Sequence, residues 1–195
     1  MRRQRSGWAR RLTIPSLIAA AILAAGSASA VAQTGGSGPP GTTTVPSTPS
    51  GVPGVATLAP DGTAIPPIDA PPAVRKAINA GNRIHTLPYV WGGGHNRKFK
   101  GRGYDCSGAV SYVLHAAGLL RMPMDSGTLA RRWGQPGVGQ WITVYANASH
   151  AYAVIAGLRW DTSAVGEALN QGSGPRWRAT QRPATGYTAK FWPGY

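Results

Sequence analysis

The run Tyr104-Asp105-Cys106-Ser107-Gly108-Ala109-Val110-Ser111-Tyr112-Val113-Leu114-His115-Ala116-Ala117-Gly118 decides how this chain is read, because it sets the sole cysteine at the start of an apolar helix. Apolar residues at 109, 110, 113, 116 and 117 have helical spacing. Asp105 suits the N-cap, and the helix is expected to end near Gly118. Cys106 then falls in the first turn, where free N–H groups and the positive end of the helix dipole favour a thiolate. The alternative is a buried structural thiol. A single cysteine makes no internal disulfide, and the chain has no CxxC pair or His/Cys cluster of zinc spacing. No metal and no cofactor are expected.

Working outward, residues 1–32 read as a secretory signal peptide. Arg2, Arg3, Arg5, Arg10 and Arg11 form a positive start, Leu12 to Ala25 is a short apolar stretch, and small residues at 28–32 suit cleavage. The apolar stretch is shorter than the ~20 residues a membrane span needs. An uncleaved anchor is the alternative; after signal removal no stable span is expected. Residues 33–72 are rich in Gly, Pro, Ser and Thr, with Asp61 and Asp69 the only charges. Such a stretch buries too little apolar surface to offset ordering its backbone, so it is expected to be a disordered spacer. Residues 73–195 have the length of one domain.

That domain holds 15 Lys/Arg against Asp105, Asp125, Asp161 and Glu167, a net charge of +11. Such charge attracts polyanions. No zinc finger, RRM-type aromatic motif or basic helix accompanies it, so nucleic acid is not the expected partner. For an exported chain, anionic cell-wall polymers are. Arg97, Lys98, Lys100 and Arg102 form the one dense basic cluster.

Periodicity predicts a first helix over Ala73–Ile84, the Cys106 helix, and a short helix over Thr128–Trp133. Strand-like runs follow at 141–145, 150–156, 158–162, 177–180 and 187–191. Helices first and strands after predict an α+β domain with an antiparallel sheet. A nucleophilic cysteine needs a base. His115 lies nine residues on, across the helix from Cys106. His85 follows the first helix, and His95 sits in a glycine-rich loop from which it could approach the cysteine, though a loop holds it poorly. His150 opens the most apolar strand, and a base at a strand end facing a nucleophile at a helix start is the Cys-His arrangement of cysteine hydrolases.

The order Tyr89-Val90-Trp91-Gly92-Gly93, then Asp105-Cys106-Ser107-Gly108 opening a helix, then His150 opening a strand, resembles the NlpC-type cell-wall peptidases. The resemblance covers about residues 73–195. It implies a papain-like fold, with the nucleophile helix packed on a small antiparallel sheet. It also implies Cys106 as nucleophile and His150 as base, acting on peptide links of the peptidoglycan stem, typically between γ-linked D-glutamate and a diamino acid. Asp105 and Ser107 would bind the stem's free amino end, Tyr89 would lie beside the catalytic centre, and the Cys106 N–H would contribute to the oxyanion hole. The expected protein is a secreted, wall-associated or periplasmic monomer.

Two departures from the family pattern stand out. Val138-Gly139-Gln140-Trp141 replaces a Pro-Gly-Asp-Leu element, and the third catalytic position, usually His, Asn or Gln, offers only Asp161. A tight hairpin at Gly157-Leu158 would pair Asp161 with Val154 and set it further along the sheet than His150; the alternative role is a surface charge near Arg159. Trp141, Trp160 and Trp177 are expected in the core, whereas Trp91 is a candidate to line the cleft. Two other functions compete: a non-catalytic cationic wall-binding protein, and a papain-like amidase or acyltransferase. Binding alone does not need a thiol at a helix start.

Overall fold

Three helices precede most of the strands, as the order of sequence patterns predicts. The structure is a computed structural model that describes residues 54–167 and 172–195. The expected signal peptide, residues 1–32, and the first part of the expected spacer lie outside the described residues. In chain order the elements are β1 (Thr57–Leu58), β2 (Ala64–Ile65), α1 (Pro72–Ile84), α2 (Cys106–Ala116), α3 (Ser126–Arg132), β3 (Gln135–Pro136), β4 (Ile142–Ala146), β5 (Ala151–Ile155), β6 (Leu158–Asp161), β7 (Arg176–Arg178) and β8 (Thr188–Phe191). The class is mixed α+β. Strands β3 to β8 form one antiparallel sheet of order β3-β8-β4-β5-β6-β7. No helix among the described residues is long and apolar enough to cross a membrane.

The expected spacer up to residue 72 is corrected from Gly54 onward. β1 and β2 form a small hairpin. Asn82 of α1 holds it by donating to the Ala64 carbonyl and accepting the Ala64 N–H, both at 2.9 Å. Ala56 donates to the Ala156 carbonyl at 2.7 Å, and Ala56, Ala64 and Ala70 are buried. Small residues and individual hydrogen bonds order this segment, so it lacks the apolar run that would have announced it.

α1 starts with Pro72 at its first position, where a missing N–H costs nothing. It buries Val74, Ala77, Ile78, Gly81 and Ile84. The Trp177 indole packs so closely on Gly81 that a Cβ there would lie 2.4 Å from it. α2 packs between α1 and the sheet. Trp160 of β6 donates its indole N–H to the Ala109 carbonyl of α2 at 3.0 Å. Trp160 pairs with Ala153, so alternation turns Ala151, Ala153 and Ile155 toward α2. Tyr152, Val154, Arg159 and Asp161 therefore share the opposite face.

Two turns set the register that matters for the site. Asn147 follows β4, and its side-chain oxygen accepts N–H groups from Ser149 and His150, each at 2.9 Å; this Asx turn fixes the backbone at His150. Between β5 and β6 the turn residues are Ala156 (φ 45°) and Gly157 (φ 81°), with Ile155 opposite Leu158. Positive φ at both centres is the hairpin turn whose twist matches its strands. The turn therefore sits one residue earlier than expected. Arg159, not Asp161, faces Val154, and Asp161 comes opposite Tyr152, diagonal to His150 on the same face.

Candidate active site

Cys106 is the first residue of α2, and Asp105 is its N-cap. The Asp105 Oδ1 accepts the Gly108 N–H at 2.7 Å, the His95 Nε2 hydrogen at 2.9 Å and the Ser107 hydroxyl at 3.2 Å. Its Oδ2 accepts the Gly92 N–H at 3.0 Å. Burial pushes the Asp105 carboxyl up, but these bonds, His95 foremost, hold it below the usual carboxylate range. The glycine-rich segment thereby ties to the start of α2. Asp105 also donates its own N–H to the Gly93 carbonyl at 3.3 Å, and a Cβ on Gly108 would lie 2.0 Å from that same oxygen. Glycine at 108 is what lets the two backbones meet.

His150 immediately precedes β5 and donates from Nε2 to Asp161 Oδ1 at 2.9 Å. This leaves Nδ1 as the nitrogen free for the cysteine. Burial on its own lowers the pKa of the ring. The Asp161 carboxylate and the nearby Cys106 sulfur overcome that and raise it to about 9, so the imidazole is protonated at neutral pH. The ring lies beside Tyr152 and Tyr187, with centroids 6.4 and 6.3 Å away.

Asp161 is buried, not a surface charge. Its Oδ1 also accepts the Ser163 N–H at 2.9 Å, and its Oδ2 receives Arg182 Nη1 at 2.9 Å. Arg159 Nε stands 3.7 Å from Oδ2. Burial pushes this carboxyl up, but its bond to His150 and the cations around it keep it below the usual range. Behind it, Glu167 bridges Arg159, at 3.1 Å, and Arg178. Arg182 spans the faces of Tyr152 and Tyr187, at 5.1 and 5.3 Å from their centroids.

The structure therefore brings Cys106, His150 and Asp161 together, with Asp105, Ser107 and Tyr89 around the start of α2. Burial raises the Tyr89 pKa, and the charges of Cys106 and Asp105 raise it further; a backbone bridge pairs Tyr89 with Tyr104, the residue before Asp105. Trp91 does not line a closed cleft: it is 87% exposed, on the turn that carries the Gly92 N–H to Asp105. His85 and His115 serve the fold. His85 Nδ1 bonds to the Asn82 carbonyl at 2.7 Å. His115 Nδ1 bonds to the Leu120 carbonyl at 2.9 Å, and its ring stacks on Phe99 at 4.0 Å. Sequence reasoning missed Arg182 and the contact of His95 with Asp105; neither lies in a periodic segment, so no local signal points to them. Among the described residues, no group of three or more His, Cys, Asp or Glu side chains is arranged to hold a metal.

No protein-family model matches the chain, and no curated protein matches it. Among solved structures it is similar to Rv1477, described as a hypothetical invasion protein of Mycobacterium tuberculosis, at 21% identity and a TM-score of 0.43. The match spans 70% of this chain and 73% of that one. A likeness that distant says nothing about chemistry, so the case for function rests on the site itself.

Proposed function

We propose that this chain is an exported cysteine hydrolase of the NlpC type that cleaves peptide links in the peptidoglycan stem, typically the bond from D-γ-glutamate to a diamino acid. The observation that carries the reading is Cys106 at a helix start, beside a His150 that is itself held by buried Asp161. A nucleophile, a base and a group that orients the base form the unit of nucleophilic catalysis.

In the proposed reaction the Cys106 sulfur attacks the scissile carbonyl carbon. The carbonyl π electrons move to oxygen, and the oxyanion meets the Cys106 N–H, which at the first helical position has no intrahelical acceptor. Collapse of the intermediate breaks the C–N bond, and the His150 imidazolium donates its proton to the departing amine. Neutral His150 then takes a proton from water as that water attacks the thioester, releasing the acid and the sulfur. Asp161 holds the ring on Nε2 throughout, so that Nδ1 keeps facing the sulfur.

Asp105, Ser107 and Tyr89 would hold the stem's amino end, and Trp91 would meet the substrate as an exposed aromatic on the adjoining turn. The net charge of +11 on residues 73–195 would draw the protein, as a secreted monomer, to anionic wall polymer. Incubating residues 54–195 with purified peptidoglycan and weighing the released fragments tests the reading. Wild type should release stem fragments, whereas Cys106→Ala and His150→Ala should each lose essentially all activity, since the two groups act as a unit. Release by Cys106→Ala at the wild-type rate would refute it.

A further inference from the structure

His95 has no part in the bond-breaking steps, yet its ring sits on the carboxylate that neighbours the nucleophile. Asp105 Oδ1 is filled by Gly108, His95 and Ser107, whereas Oδ2 receives the Gly92 N–H alone. A carboxylate offers about four lone-pair sites, so the remaining acceptor capacity lies on Oδ2. Ser107 Oγ also lies 3.2 Å from His95 Nε2. The imidazole thus touches both side chains assigned to recognition of the stem's amino end. When protonated, it sets a cation against the anion that a substrate ammonium would need.

We propose that His95 is a specificity-determining residue that sets the charge of this recognition subsite. With His95 protonated, the His95–Asp105 pair is neutral overall, and the subsite accepts an uncharged, N-capped stem terminus about as readily as a free ammonium. Without that cation, Asp105 stands as a bare anion and selects the ammonium. The inference rests on the amine-binding role given to Asp105 and Ser107 above, and deepens it.

The surroundings support a protonated ring. The hydrogen bond to Asp105 raises the His95 pKa, burial opposes this, and the charges of Asp105 and of Asp125 at the start of α3 add to the rise. Arg97, Lys98, Lys100 and Arg102 are exposed on the same loop, and their repulsion leaves an ammonium little attraction to a neutralised subsite. Tyr89 and the neighbouring Cys106 thiol are the other titratable groups near Asp105.

The test uses two soluble stem peptides that differ only in a free or an acetylated terminal amine, assayed at pH 6. There an ordinary α-amine is charged, and His95, raised above 6.5, is too. The readout is the ratio of kcat/KM for the free peptide to that for the capped one. His95→Gln keeps a donor toward Asp105 but removes the charge. The ratio should rise about tenfold over wild type, which corresponds to about 1.4 kcal/mol of discrimination. His95→Ala should move it the same way.

An unchanged ratio in both variants overturns the proposal, as does a parallel loss on both peptides, which would mean that His95 only braces the cap. The same ratio read as Kd in a Cys106→Ala background needs no turnover. If wild type cleaves neither peptide but the Kd ratio shifts as stated, the hydrolase reading fails and this one stands. If neither peptide binds, this one fails.

Discussion

Replacing Asp161 with Asn removes one charge and almost no volume, and its effect on stability should depend on pH in a defined way. In the folded protein His150 titrates at about 9 against an ordinary 6.5. A pKa raised on folding contributes stability that is complete below pH 6.5 and is lost as pH rises through about 9. At about 1.4 kcal/mol per unit the gap amounts to about 3 kcal/mol. In Asp161→Asn the larger of the two supports of the shift is gone, burial disfavours the charged ring, and Arg159 and Arg182 repel it, so most of this contribution is lost and only the part due to the Cys106 sulfur remains. The variant should trail wild type most at pH 6, and the deficit should shrink by pH 10 by up to about 3 kcal/mol, the part of the shift that Cys106 supports being common to both proteins. A residual deficit should persist there, because Arg182 and buried Arg159 lose a counter-charge. For a domain of this size the pH-dependent part is worth up to roughly 10 °C in Tm. Thermal unfolding of both proteins from pH 6 to 10 reads it directly, and Cys106 is common to both. Parallel curves across that window would refute the view that Asp161 keeps His150 protonated.

Two further outcomes follow from local geometry and charge. Gly108→Ala places a Cβ 2.0 Å from the Gly93 carbonyl, and such overpacking should cost about 1–3 kcal/mol; Tm and kcat/KM should fall together as the glycine segment is pushed off Asp105, and an unchanged kcat/KM would show that the contact is dispensable. Neutralising Arg97, Lys98, Lys100 and Arg102 together should cut co-sedimentation with walls at low salt to the level wild type shows at high salt, since exposed charges are screened over ~10 Å at 0.1 M. Turnover of a small stem peptide should change much less, and wall binding that stays flat with salt would exclude this cluster as the anchor.

What was legible in the sequence follows from how local each signal is. α1, α2 and β4–β6 announce themselves by period and caps, and Asp105 before an apolar helix places Cys106 at its first turn. His150 at the mouth of an alanine-rich strand is equally local. Asp161 was legible only as a candidate, because its partner depends on which two residues make the β5–β6 turn. Gly157 fits either choice, and the structure uses Ala156 at a positive φ that alanine rarely adopts. The basic loop reads as a run of charge, yet buried Phe99 anchors its middle by stacking on His115, so the bases project from an ordered segment. Arg182 lies in Gln181-Arg182-Pro183-Ala184-Thr185-Gly186, which has no period at all; only the fold carries it across to Asp161.

The charges around the site also explain why an aspartate can take a position where a neutral orienting group would serve. A buried carboxylate facing His150 alone would be costly to desolvate. Here Asp161 and Glu167, two negative charges, are enclosed by Arg159, Arg178 and Arg182, and protonated His150 brings the positive count to four. The cluster therefore carries a net charge of +2. That excess stands behind a ring that faces a sulfur and, during attack, a developing oxyanion. Negative charge built up there meets a preset positive field, which requires no reorganisation at the moment of reaction. A neutral amide at position 161 would orient the ring equally well, but it would leave the three guanidinium groups with one carboxylate among them. Aspartate thus orients the base and also holds the arginine cluster together.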